Sequence, residues 1–518
     1  MDGQPSRGQH DTSHMVDLLF IDTIHKCIVD GLDVQHERQD QQSHPSYAAL
    51  SYVWGSATQV VALQANIHQL RQKGSLATSQ FAIPNLIKDA ISLVQSLGIQ
   101  YLWVDALCIL QDAESKHDVL SQMDTIYSRA YLTIIASDCD SAADSLPGIQ
   151  PVSQTPLSLH VQIGKHYLRS ERRGHLPSHL FHTKYNTRGW TLQEALLSKR
   201  CVYFTNEQAI FRCRKSVWAE HAPYRDMGTA ADLYARLWEG LMSRVGWEKV
   251  EPYRRLVSEY SNRQLSFDSD ILNAFAGITG LLCRTEAWTF MDGVLMNEVP
   301  SEILFFHDTR SARRRNEYGE PWLPSWSWAG WTGKVRYATM WNMNWQITWL
   351  SIKQSFRLGA SYIKDIVVYP GHDWKSRTFG PGAHSMKMTV GTYTRPGYTI
   401  EWGAPPFESG NLVSLLQFDA RTRPAVHFRI EAWSPPPLGS PSAIHHLYQD
   451  DRRVGMLLDV DSVASIPADA EFVQITEFSA LLVTSSSCEE GIVERIGVAF
   501  FWVAGVLGEG EARKIILG

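Results

Sequence analysis

From Tyr47 onward the chain alternates short apolar runs with amphipathic stretches, and that alternation constrains the fold more than anything else in its 518 residues. Residues 47–53, YAALSYV, are an apolar run closed by Trp54-Gly55, the pattern of a buried strand followed by a glycine turn. Over residues 84–97, Leu86, Ile87, Ala90, Ile91, Val94 and Leu97 recur at helical spacing, with Pro84 suited to the first turn and Gly98 as a stop. Residues 101–105, YLWVD, predict the next strand, running on into 106–109. A second amphipathic stretch carries Leu120, Met123, Ile126, Tyr127 and Ala130, and residues 131–136, YLTIIA, are again β-rich. Strands separated by single helices of this length pair in parallel, so the pattern predicts a doubly wound α/β sheet. Ligands on such sheets bind at the carboxyl ends of the strands. Those ends are Trp54-Gly55, Asp105 and Ser137-Asp138.

The flanks organise around this core. Residues 1–14 and 34–45 are polar and predict a tail and a loop, with one or two short strands over 16–29 between them. After a β-rich excursion over 149–170 come a helix over 188–198 and a hairpin-like pair, 201–204 with 209–212. Residues 229–285 place Leu233, Leu237 and Leu241 on one helical face, followed by Tyr253, Leu256, Val257 and Tyr260. From about 321 the sequence turns to Trp, Gly, Pro and short alternating segments, which predicts a mostly β region. The expected division is 1–225, with its core motifs over 47–213, then a helical region 226–320 and a β-rich domain 321–518.

Several chemistries are excluded by what is missing. The seven Cys are scattered without a C-x-x-C pair, which fits a reducing compartment better than a disulfide framework or a zinc site. A formal charge of -6 argues against a general nucleic-acid binder. The N-terminus lacks the basic-then-apolar layout of a secretory signal. The longest apolar run, 498–507, is roughly half of the ~20 residues a bilayer span needs. A cytoplasmic protein with no membrane span is expected. No G-x-x-x-x-G-K-[ST] loop, G-x-S-x-G elbow or H-E-x-x-H helix occurs, and the 19 His show no metal spacing.

Five blocks in order resemble the fungal heterokaryon-incompatibility (HET) family: YAALSYVWG at 47–55, LWVDALCI at 102–109, MDTIYSRAYLTIIA at 123–136, RGWTLQEALLSKR at 188–200 and LPSWSWAGW at 323–331. Leu110 departs from the Asn more usual there. The resemblance implies an effector of non-self recognition that triggers programmed cell death, with self-association and an unknown protein partner of that recognition system. It also implies a remotely TIR-like, flavodoxin-like parallel sheet, and some TIR domains cleave NAD at the nicotinamide–ribose bond. WTLQE at 190–194 is similar to the helix that carries the catalytic glutamate there, with Thr191 where that helix has Cys. On this likeness Glu194 is the catalytic candidate. NAD enters as a substrate, and no bound cofactor or metal is implied.

The residues themselves leave roles open. Glu194 follows Trp190 by one helical turn, so both share a face, with Leu197 alongside. A desolvated carboxylate there suits an oxocarbenium-like transition state. The alternative is a structural carboxylate paired with Arg188 or Arg200. Arg188 and Gly189 are candidates to hold a pyrophosphate. Asp105 either binds ribose hydroxyls or caps a turn. Ser51, Tyr52, Trp54 and Gly55 are candidates to wall a ring-shaped ligand, with core packing the competing role for Tyr52. Trp322, Trp326, Trp328 and Trp331 alternate so that, on a strand, Trp326 and Trp328 share one face, and a core or inter-domain seam is their simplest use. Three readings follow: an NAD-hydrolysing effector, a non-catalytic module acting through its surfaces, and a C-terminal β domain that restrains the HET domain.

Overall fold

The computed structural model describes residues 18–31, 46–56, 59–149, 160–163, 166–169, 183–220, 233–243, 249–308, 311–316, 318–337, 363, 365–369, 378–379, 392–395, 398–402, 414–432, 444–476, 478–486, 491–501, 506–508 and 510–518. The polar stretches 1–14 and 34–45, and most of 149–170, lie outside them. The chain divides into two compact units, 1–239 and 240–518.

The first unit is built on an eight-stranded sheet. Four parallel strands form its centre, in the spatial order Arg200–Phe204, Leu132–Ala136, Tyr47–Ser51, Tyr101–Trp103. The parallel core is extended at both edges by antiparallel strands. The hairpin Leu19–Asp22 and Cys27–Asp30 pairs antiparallel with the Tyr101–Trp103 strand. On the other side Ala209–Cys213 and Val217–Ala219 continue the sheet antiparallel. The reason is connection length: turns of a few residues permit only antiparallel return, whereas the parallel pairs are linked by helical crossovers.

Local chemistry accounts for the elements. The Tyr47–Ser51 and Leu132–Ala136 strands are buried at every position, as central strands covered on both faces must be. Helix Asn85–Ser96 buries Leu86, Ile87, Ala90, Ile91 and Val94 and ends before Gly98, which turns at φ 72°. Pro84 is the N-cap residue rather than part of the first turn. The predicted strand through 101–109 is shorter than expected. It stops at Trp103, and Asp105–Cys108 is a single helical turn in which the Asp105 carboxylate accepts the Ala106 N–H at 2.7 Å. Local bonding by Asp offers the backbone an alternative to the ladder, and here it wins.

The second unit holds helices Val250–Ser261 and Asn273–Glu286 and a mostly antiparallel sheet. Five of its strands close on themselves: Leu415–Pro424, Glu471–Thr476, Ser479–Ser485, Val493–Phe501 and Glu511–Leu517, the last pairing back to the first. Closure removes exposed edges. The tryptophan stripe is not a strand. Trp328 opens a 3-10 turn, buried edge-on against Tyr260 and Phe275, and its Nε1 donates to the Gly293 carbonyl at 2.7 Å. Trp326 and Trp331 donate to the carbonyls of Ser414 and Ser325. Each of these three indole N–H groups thus has a backbone acceptor, which is how buried Trp is accommodated in a core. No helix among the described residues is long and apolar enough to cross a membrane.

Candidate functional site

The site starts from strand order. The first parallel strand in the chain, Tyr47–Ser51, lies between the second, Tyr101–Trp103, and the third, Leu132–Ala136. The winding direction therefore reverses between Tyr47–Ser51 and Leu132–Ala136, and it is at such a reversal, beside the carboxyl ends of the strands, that sheets of this kind bind ligands. Ser51 pairs in register with Ile135, so Ser51, Ile135 and, two residues on, Ser137 share one face of the sheet. Helix Trp190–Leu197 covers that face. Its carboxyl end is tied down where Ser198 Oγ meets Thr133 Oγ1 at 2.7 Å and donates to the Glu194 carbonyl. Its amino end is closed by Thr191, whose hydroxyl donates to the carbonyls of Tyr185 and Arg188 at 2.8 and 2.9 Å.

This brackets Glu194 directly over Ser51. The Glu194 carboxylate is 7% exposed and accepts a short hydrogen bond from the Ser51 hydroxyl. Ser51 Oγ is in turn 2.7 Å from the Tyr185 hydroxyl. Burial pushes the Glu194 carboxyl up to about 7, against the lowering effects of the Ser51 hydrogen bond, the Arg188 charge and Tyr127, with Asp105 adding to the rise. A carboxyl so placed exchanges its proton near neutrality, which suits acid–base and charge-stabilising roles alike.

The other candidates fall around this point. Tyr52 is buried and its carbonyl accepts from Arg188 Nη1 at 2.5 Å. Trp54 is half-buried and its Nε1 donates to Asp105 Oδ2 at 2.8 Å. Burial raises the Asp105 carboxyl above its ordinary range, against the bonds from Trp54 and Ala106 and the Arg188 charge. Asp105 thus both starts a helical turn and holds the indole. Trp190 is half-buried against the apolar core, and Gly189 precedes the helix in right-handed backbone conformation. The Arg188 guanidinium reaches the Tyr52 carbonyl, and Arg200 donates to the Tyr131 carbonyl and stacks 4.9 Å from its ring. Ser51, Tyr52, Asp105, Arg188 and Glu194 are therefore one connected group, with Trp54 at its edge. Tyr127 and Tyr185 were missed by sequence reasoning. Tyr127 sits within a family-like block and reads as core. Tyr185 lies in no block, and no local pattern gives it away.

Gly55 has a structural reason of its own. It turns at φ 68°, and a Cβ added there would lie 2.7 Å from the Ser141 side chain. Gly55→Ala is expected to cost about 1–3 kcal/mol, from left-handed strain plus displacement of the Ser141 loop. A urea midpoint unchanged from the parent would contradict this.

Residues 47–194 match the family model described as heterokaryon incompatibility protein (HET). No curated protein and no solved structure matches the chain.

Proposed function

We propose that this chain, which carries a HET domain and with it a role in heterokaryon incompatibility, is the effector that triggers cell death in a non-self response, acting by hydrolysis of NAD at Glu194. The supporting observation is the position of that carboxyl: at the switch point of the sheet, desolvated, and poised near neutrality. Cleavage of the nicotinamide–ribose bond sends the bonding electron pair to the pyridinium nitrogen, which leaves neutral. Positive charge develops on the ribose carbon, and an ionised carboxylate stabilises or captures it. Water then supplies the hydroxyl, and its proton returns to the carboxylate or to solvent. Ser51, held by Tyr185, fixes the carboxylate geometry. In this reading Asp105 faces the ribose hydroxyls and Arg188, with Gly189, faces the pyrophosphate, while Tyr52, Trp54, Gly55 and Trp190 form the walls.

The test is release of nicotinamide from NAD by concentrated full-length protein, compared with Glu194→Gln. The rate should rise with pH through about 7 as the carboxyl ionises, and Glu194→Gln should release none. Absence of nicotinamide from the parent protein, or undiminished release by the variant, sinks the catalytic reading. A second reading is favoured by the burial of Glu194 and its hydrogen bond from Ser51. In it the domain kills by recruiting partners, and Glu194 is an internal brace. Cells expressing Glu194→Gln separate the two, since a brace tolerates the neutral isostere and a catalyst does not.

A further inference from the structure

Two neighbouring parallel strands of the first unit are polarised in charge from end to end. Lys199 and Arg200 stand at the amino end of the Arg200–Phe204 strand. The antiparallel pairing of Arg200 with Cys213 brings Arg214 and Lys215 beside them. All four are exposed. The Arg200 guanidinium lies over the exposed Tyr131 ring, and that of Arg214 lies 4.0 Å over Trp238, so stacking holds both heads in place. Among the described residues none of the four has an acidic partner. Partial burial, then the charges of Arg214, Arg200 and Arg129, holds the Lys199 ammonium below its ordinary range.

The carboxyl ends of the same strands are acidic. Asp138 follows the Leu132–Ala136 strand and accepts the Asn206 N–H at 2.9 Å. Asp140 and Asp144 continue that loop, Glu207 lies in the hairpin turn, and Glu220 accepts the Ala209 N–H at 3.0 Å. Lys184, which donates to the Asp140 carbonyl, offsets part of this charge. Five strand residues separate the poles by about 17 Å. That exceeds the Debye length of about 8 Å at physiological salt, so the poles scarcely neutralise each other within one molecule.

We propose that the basic pole of one molecule docks on the acidic pole of a second copy, head to tail. The second copy is the fitting occupant because the complementary charge lies on the same domain, at the far end of the same strands. The two patches do not overlap, so the contact is heterologous and propagates into a ring or an open chain. The acidic pole also adjoins the candidate site: Ala142 N–H donates to the Trp54 carbonyl at 3.2 Å, and Ser141 abuts Gly55. Docking thus presses on the loop against Trp54 and Gly55, which gives assembly a route to the site. The surface assignment does not depend on Glu194 chemistry, and its test reads mass rather than turnover.

Sedimentation velocity of the full chain, over rising concentration at low and high salt, supplies that test. Association is expected at low salt and weakens at high salt. Arg200→Glu with Arg214→Glu, and separately Asp140→Lys with Glu207→Lys, should each weaken it by at least about tenfold. Mixing the two variants should restore association, since each keeps one native pole complementary to the other's. Arg200→Gln with Arg214→Gln replaces the first variant if circular dichroism shows that reversal unfolds it. A parent chain that stays monomeric at low salt, or association indifferent to both variants, overturns the proposal. So does a monomer whose four cations instead retain anionic vesicles or an oligonucleotide.

Discussion

Glu194→Gln is expected to stabilise the protein at alkaline pH while leaving its stability near pH 5 almost unchanged. The carboxyl titrates at about 7 in the folded chain and near 4.5 when freed from burial. A folded value above the unfolded one means that the unfolded chain gives up the proton first as pH rises. Stability carried by the protonated group is therefore complete below about 4.5 and is lost progressively up to about 7. At 1.36 kcal/mol per pH unit, the loss amounts to about 3 kcal/mol. Glutamine keeps the shape, carries no charge and never incurs that loss. The groups facing Glu194 are Ser51, which donates to it, Tyr127, whose hydroxyl donates to the Leu50 carbonyl and favours the ionised form, and Arg188 and Asp105, whose charges act on it in opposite senses. Other carboxyls, such as Asp22, titrate below their ordinary range and shift stability the opposite way, so the informative quantity is the difference between parent and variant. Chemical denaturation of both proteins from pH 5 to pH 8.5 measures it. A difference that stays flat with pH would mean that Glu194 is ionised and solvated in the folded protein.

The same carboxyl shows where sequence reasoning reaches and where it stops. The family-like blocks and the strand–helix alternation place Ser51, Asp105 and Glu194 near one sheet edge, because alternation and burial are local properties. The hairpin at 201–204 and 209–212 was legible as such, whereas the antiparallel pairing of Leu19–Asp22 with Tyr101–Trp103 joins segments far apart in sequence. That Glu194 meets Ser51 rather than Arg188 or Arg200 depends on the crossing of helix Trp190–Leu197 over the sheet. Thr191 and Ser198 fix that crossing through backbone carbonyls and Thr133. Of these only the Ser198–Thr133 bond joins residues far apart in sequence, and none leaves a periodic trace. Tyr185 is the clearest case: its hydroxyl meets Ser51, a residue 134 positions away. The tryptophan stripe misled for a related reason, since alternation in Leu323–Trp331 satisfies a turn as readily as a strand once every indole finds a carbonyl.

The largest loss of stability is expected in the second unit, where nothing in the sequence hints at it. Asp459, Arg495 and His307 meet in the interior with side chains at most 5% exposed. Asp459 Oδ2 accepts from Arg495 Nη2 at 2.6 Å. Its Oδ1 accepts the His307 backbone N–H at 2.7 Å and lies 3.2 Å from the ring Nδ1. Burial would raise the Asp459 carboxyl, yet the charges of His307 and Arg495 and the bonds from His307 outweigh it and hold the group below its ordinary range. Arg495 also donates to the Phe305 carbonyl and stacks 3.9 Å from that ring. Asp459→Asn keeps the volume and suits the left-handed backbone at φ 68°, so the change isolates the charge. It leaves a buried guanidinium uncompensated, at a cost of about 3–5 kcal/mol. Arg495→Met in the same chain removes the orphaned charge and should recover much of that loss, because the two side chains act as a unit. Urea unfolding of the two single variants and the double variant closes the cycle. Strictly additive losses, or a cost below about 1 kcal/mol for Asp459→Asn, would show the pair to be a bystander to folding.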